Sequence, residues 1–128
     1  ADIFDAYAGL PGAETLGPLL YSEGVTTGRI DLARFLELVA SGPAAVFGLS
    51  RKGQLVPDAD ADFIVFDPDA EWTVQDDQTH YAVGWSPYHG RDVRGRVVST
   101  WLGGRCVFRD GSLIGAPGDG SFVRPTPT

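Results

Sequence analysis

The hydrophobic pattern of this chain changes period once, near residue 53, and that change limits what it can fold into. Before it, apolar residues recur at helical spacing; after it, they come in short runs punctuated by glycine, as in strands and tight turns. Within residues 31–40, Leu32, Phe35, Leu36 and Val39 fall at i, i+3, i+4 and i+7 and share one helix face. Asp31 is placed to cap that helix, and Ser41-Gly42 to end it. Pro43 suits the first turn of a short following helix through Phe47, with Gly48 as its stop. An earlier helix is predicted over residues 13–22, kinked or delayed by Gly17-Pro18 because proline brings no amide donor. Each of these helices has one apolar face to bury.

Beyond Gly53, the run Phe63-Ile64-Val65-Phe66, ended by Asp67-Pro68, reads as a buried strand, and Trp72-Thr73-Val74 as a weaker one. Residues 97–102 and 105–109 flank Gly103-Gly104, the signature of a β-hairpin, and Asp110-Gly111 marks the next turn. Residues 75–96 show no period and form an aromatic-rich loop with Tyr81, Trp85 and Tyr88. Pro125-Thr126-Pro127-Thr128 reads as a solvated tail. The class is α+β.

At 128 residues and 43% apolar, the chain can bury a core of its own. Its net charge of -7 argues against nucleic acid, and Asp92 and Asp110 interrupt the densest basic run, Arg91, Arg94, Arg96, Arg105 and Arg109. A lone cysteine, Cys106, allows no internal disulfide and no zinc cluster, which fits a reducing cytoplasm; its apolar strand position predicts a buried, inert thiol. No apolar run reaches the length of a membrane span, and the N-terminus has no signal-peptide pattern. The sequence has no Met and starts at Ala1, so it is expected to be a piece of something longer.

Residue by residue, no complete catalytic constellation emerges. His80 and His89 lie in the aromatic loop without His-x-His, HExxH or a neighbouring Cys, and are read as structural rather than as metal ligands. Asp58, Asp60 and Asp62 resemble the start of a calcium loop, but Phe63 stands where that loop needs glycine and Asp69 where it needs glutamate. They are read as an acidic turn before the strand. Ser50 and Ser86 lack the GxSxG elbow, and Glu14 is read as an acid favoured by a helix N-terminus. Neither Gly9-Leu10-Pro11-Gly12 nor the glycines at 115, 118 and 120 match a phosphate-binding loop.

Taken in order, however, the turns carry a resemblance. Pro11-Gly12-Ala13-Glu14, Glu23-Gly24-Val25, Gly28-Arg29-Ile30, Pro43-Ala44 with Phe47-Gly48-Leu49, Arg51-Lys52-Gly53, and Asp60-Ala61-Asp62 running to Phe66-Asp67-Pro68 resemble the C-terminal portion of the cyclic amidohydrolases. That family includes dihydropyrimidinase, hydantoinase, allantoinase and dihydroorotase. The likeness continues through Ser86-Pro87-Tyr88, Gly90-Arg91, Gly95-Arg96-Val97, Gly104-Arg105, Arg109-Asp110-Gly111 and Pro117-Gly118, so it covers residues 3–122. Gly42, Asp58 and Gly103 depart from the family pattern, where Asn, Gly and Arg are usual.

The resemblance implies that residues 1–52 are the last helices of a metal-dependent (β/α)8 barrel, and residues 53–128 part of the accompanying β-sandwich with its tail. A whole barrel takes about 250 residues, so the chain cannot hold one. It further implies an allantoinase-like or hydantoinase/dihydropyrimidinase-like hydrolase that opens cyclic ureide or imide rings with hydroxide made on two divalent metal ions, usually zinc, whose ligands all precede Ala1. Neither His80 nor His89 matches a ligand position, so no catalytic or metal residue is assigned here. What carries over is the loop Ala6-Tyr7-Ala8-Gly9, in which the backbone of Ala8 and Gly9 would bind the ring edge. A cytoplasmic homo-oligomer, dimer or tetramer, is also implied. The competing readings are a non-catalytic assembly relative of the same fold, a dihydroorotase-like enzyme, and a free-standing acidic binding module. The module should fold alone, whereas the fragment should expose a large apolar patch.

Overall fold

The structure, a computed structural model, describes residues 9–126. Helical segments α1 (Leu16–Leu20), α2 (Leu32–Leu36) and α3 (Gly42–Val46) precede strands β1 (Phe63–Thr73), β2 (Asp92–Leu102), β3 (Arg105–Arg109) and β4 (Ser112–Leu113). The strands form one antiparallel sheet in the order β1-β2-β3-β4. The chain is thus α+β, and the sheet is a single layer among the described residues. No helix among them is long and apolar enough to cross a membrane.

Proline and glycine set the helix boundaries. α1 starts at Leu16 rather than at residue 13, so Pro18 falls in the first turn, where its missing N–H has no intrahelical acceptor to serve. The helix is delayed and not broken, and continues as a π-helical turn, Tyr21–Val25. Asp31 caps α2 as expected: its carboxylate accepts the Arg34 N–H at 2.7 Å. The stop expected at Ser41-Gly42 does not occur. The chain instead passes through a π-helical turn, Glu37–Ser41, straight into α3, with the Gly42 N–H bonded to the Glu37 carbonyl five residues back. The wider turn changes the bonding register just ahead of Pro43, which could not have donated to the preceding turn. Gly42 permits the close approach, because a Cβ there would lie 2.7 Å from the Glu37 carbonyl oxygen. α3 does end as expected, with Gly48 left-handed at φ 64°.

In the sheet, the two expected strands at 63–66 and 72–74 are one strand. Between Asp67 and Glu71 the register against β2 slips, so Pro68 sits in a bulge on an edge strand, the position that tolerates a missing donor. The Asp67 carboxylate accepts the Asp69 N–H at 2.9 Å and closes the turn around the proline. β2 likewise begins earlier than residue 97, at Asp92, with Val93 and Gly95 facing inward and Arg94 and Arg96 outward. The β2–β3 hairpin forms as predicted, with both turn glycines left-handed (φ 55° and 78°), and Asp110-Gly111 makes a second such turn into β4.

The helices meet the sheet at a cluster of Tyr21, Phe35 and Phe66, and Val74 and Val93 are buried as well. The Tyr21 ring meets Phe35 and Phe66 edge-on, at centroid distances of 5.8 and 5.0 Å. Both Tyr21 and Phe66 lie over Gly95, where a Cβ would come within 2.6 Å of each. The predicted apolar face of α2 is not buried as a unit. Phe35 is 6% exposed, but Leu32 and Leu36 remain 55% and 52% exposed, because no described element lies over them. Cys106 is half-buried, not buried, and its thiol points to the Phe108 carbonyl at 3.3 Å. The tail is exposed yet tethered: the Thr126 N–H donates to the Gly48 carbonyl at 2.9 Å, while Pro127 and Thr128 lie outside the described residues.

Candidate functional site

A cleft of about 600 Å³ opens between the start of α1, the loop after β1 and one face of the sheet. Trp72, Arg96, Val107 and Phe108 line its sheet wall, and Glu14 and His80 face them from the other elements. The Glu14 carboxylate accepts the His80 backbone N–H at 2.9 Å and lies 3.0 Å from the His80 Nδ1. A carboxylate only accepts, so Nδ1 carries the hydrogen in this contact. The His80 ring stands edge-on to Phe108 at 5.8 Å.

Next to this pair, the Tyr81 hydroxyl oxygen accepts the backbone N–H groups of Glu14 and Thr15, at 3.0 and 3.2 Å. Thr15 Oγ1 donates to the Gly12 carbonyl and lies 3.3 Å from the Tyr81 oxygen, which leaves the tyrosine proton for Thr15. Tyr81 therefore satisfies two backbone donors immediately ahead of α1, where Thr15 itself makes no side-chain capping bond. Local patterns held no signal for this, because the partners lie 66 and 67 residues away in sequence. Glu14 sits just before the helix, as expected of an acid near an N-terminus, but its partner is His80.

The remaining predicted residues serve structure. His89 Nδ1 lies 3.3 Å from both the Asp76 backbone nitrogen and the Asp76 carboxylate. Ser86 is buried, with its N–H on the Asp76 carboxylate and its hydroxyl accepting the Tyr88 N–H. The acidic turn holds basic side chains in place of calcium. Lys52 contacts both Asp60 and Asp62, Arg51 binds Asp60 at 2.7 Å, and Asp62 also accepts the Gly103 N–H at 2.7 Å. Lys52 holds both carboxyls below their ordinary range, and they in turn raise the Lys52 ammonium. Arg91 lowers Glu23 in the same way across a 2.7 Å bond. The basic run is spent on partners of its own: Arg91 on Glu23, Arg94 on Asp69, Arg105 on Asp119, and Arg96 and Arg109 over the rings of Trp72 and Trp101.

Of the expected ring-binding backbone, Gly9 is exposed at the edge of the described residues and Ala8 lies outside them. Among the described residues no group of three or more His, Cys, Asp or Glu could hold a metal ion. Both histidines already have carboxylate partners.

Comparison with known proteins agrees with this architecture. The amidohydrolase family model matches residues 4–108. A D-phenylhydantoinase of Escherichia coli O1:K1 is 42% identical over 120 residues, 93% of this chain and 26% of the relative. Among solved structures, a D-hydantoinase superposes with a TM-score of 0.90 at 38% identity, over 97% of this chain and 27% of the other. An L-hydantoinase (dihydropyrimidinase) from Arthrobacter aurescens gives 0.88 at 34%, over 96% and 28%. The chain thus spans about a quarter of the length of the relatives it matches. With the family model matching most of its length, the chain belongs to the amidohydrolase family.

Proposed function

We propose that the chain is the C-terminal part of a hydrolase that opens cyclic ureide or imide rings, of the hydantoinase or dihydropyrimidinase kind. The observation that carries this is 42% identity to a D-phenylhydantoinase across 93% of the chain. In this reading residues 1–52 are the last helices of the barrel, and residues 53–128 belong to the sheet domain beside it. The backbone at Ala8 and Gly9 binds the polar edge of the ring, where peptide N–H and C=O groups suffice and side chains need not reach. The work of this segment is to bind and to position.

Two divalent ions such as zinc, where the full-length enzyme holds them, would supply the activation of water for ring opening. The described residues do not fit such a centre, so its ligands belong to the remainder of the enzyme, and no step is routed through His80, His89 or the Asp60–Asp62 turn. A cytoplasmic homo-oligomer is proposed with it.

The test is ring opening by the full-length protein on a hydantoin, dihydrouracil, allantoin and dihydroorotate. Turnover is expected on the first two. Turnover confined to dihydroorotate or allantoin would move the assignment within the family, and a correctly folded, metal-loaded protein inert on all four would make it a non-catalytic assembly relative.

A further inference from the structure

None of residues 9–13, which adjoin the backbone proposed to bind the ring, is buried. Residues 9–15 run between two hollows. On one side is the cleft lined by Ala13, Glu14 and Thr15; on the other, a hollow of about 470 Å³ is lined by Leu10, Gly12 and Ala13 with Tyr88 and Arg91 opposite. A Cβ added at Gly9 or Gly12 would meet nothing within 4 Å, and Leu10 is 71% exposed. Thr15, at 1% exposed, is the fixed point, and it is fixed by Tyr81. From the far side of the sequence, Tyr81 takes the N–H groups of Glu14 and Thr15, while His80 takes both oxygens of the Glu14 carboxylate. Thr15 passes the restraint back through its bond to the Gly12 carbonyl, three residues from Gly9.

We infer that Tyr81 and His80 are positioning residues for ring binding: as a polar clasp on Glu14 and Thr15, they set from the sheet side where the backbone at Gly9 lies. This rests on the proposal that Ala8 and Gly9 bind the ring. The clasp touches no substrate. It acts through the short stretch of residues 9–13, whose Gly12 carbonyl also accepts the Leu16 N–H at 2.9 Å. A backbone recognition loop needs such external support, since small displacements of its N–H and C=O groups weaken binding steeply.

The test uses the full-length protein with Tyr81→Phe, His80→Ala and His80→Asn. Asp62→Asn, at the remote Lys52 cluster, serves as a control for loss of stability alone. KM for a hydantoin is expected to rise about tenfold in Tyr81→Phe and His80→Ala, with kcat within about threefold of the parent. His80→Asn should recover most of the loss, because its side-chain amide can replace the Nδ1 donor. Amide exchange in residues 9–13 should quicken in Tyr81→Phe while β2 stays protected. The inference is overturned if KM moves no more than in Asp62→Asn, or if exchange in residues 9–13 matches the parent. Should the parent protein open no cyclic amide, the functional proposal fails, and the exchange measurement still decides whether the clasp exists.

Discussion

Gly95 shows how one residue joins the two halves of this chain. Its φ of 94° suits glycine, and the rings of Tyr21 and Phe66 occupy the space that a Cβ would need. Gly95→Ala in the full-length protein should therefore cost about 2–4 kcal/mol, combining backbone strain with overpacking, and lower the melting temperature by several degrees. A variant as stable as the parent would mean that the two rings do not sit there. Nothing in the sequence around Gly95 announces this role, because what makes it necessary comes from α1's continuation and from β1. The Lys52 cluster was easier to anticipate. The failed calcium-loop pattern already marked Asp60 and Asp62 as a structural turn, and only the cation was missing. Its pH behaviour follows from the directions of the shifts. Asp60 and Asp62 are held below 3.8, so their contribution is present above that value and lost as pH falls through their lower folded values. Lys52 is raised above 10.5, so its contribution is complete below that value and lost as pH climbs through the higher folded one. Melting temperature measured against pH should therefore fall less at the acid end in Asp62→Asn than in the parent; identical acid limbs would contradict the account.

At the level of elements, periodicity identified the helices and strands but not how they are joined. Asp31, Gly48 and Gly103-Gly104 were readable because a cap, a left-handed stop and a two-residue hairpin each have local chemistry. The passage from α2 into α3 was not, since Ser41-Gly42-Pro43 carries every mark of a break and only the π-helical turn lets the chain continue. Pro68 misled in the same way, its bulge hiding one strand as two. The π turn makes a prediction of sign. In an ordinary helix, glycine to alanine stabilises by about 0.5–1 kcal/mol. Here Gly42→Ala would press a methyl group against the Glu37 carbonyl at 2.7 Å, and should destabilise by about 1–3 kcal/mol in thermal or denaturant unfolding. A stabilised variant would mean that a regular α-helix runs through this point.

On the scale of the whole molecule, the described residues contain too little buried apolar surface for what they expose. Phe35, Ala44, Val74 and Val93 are the buried apolar residues, while Leu16, Leu32, Leu36, Val46 and Phe47 each leave half or more of their surface open on the helical segments. Such a surface is what a helix layer presents when the body it packs against lies elsewhere. The relatives it matches are about four times as long. The fold class was legible from the change of period, and the family from the order of the turns. The clasp at Glu14 was not, because it joins residues far apart in sequence whose only common feature is that the fold brings them together.

The most direct test of this account is the behaviour of the 128-residue chain by itself, in dilute solution, followed by a hydrophobic dye and by thermal unfolding. If the proposed function holds and the chain is part of a larger enzyme, it should by itself bind the dye strongly, melt broadly or aggregate, and open no hydantoin. A monomer that binds no dye and unfolds in one sharp transition would contradict the account, and the chain would then be a domain in its own right.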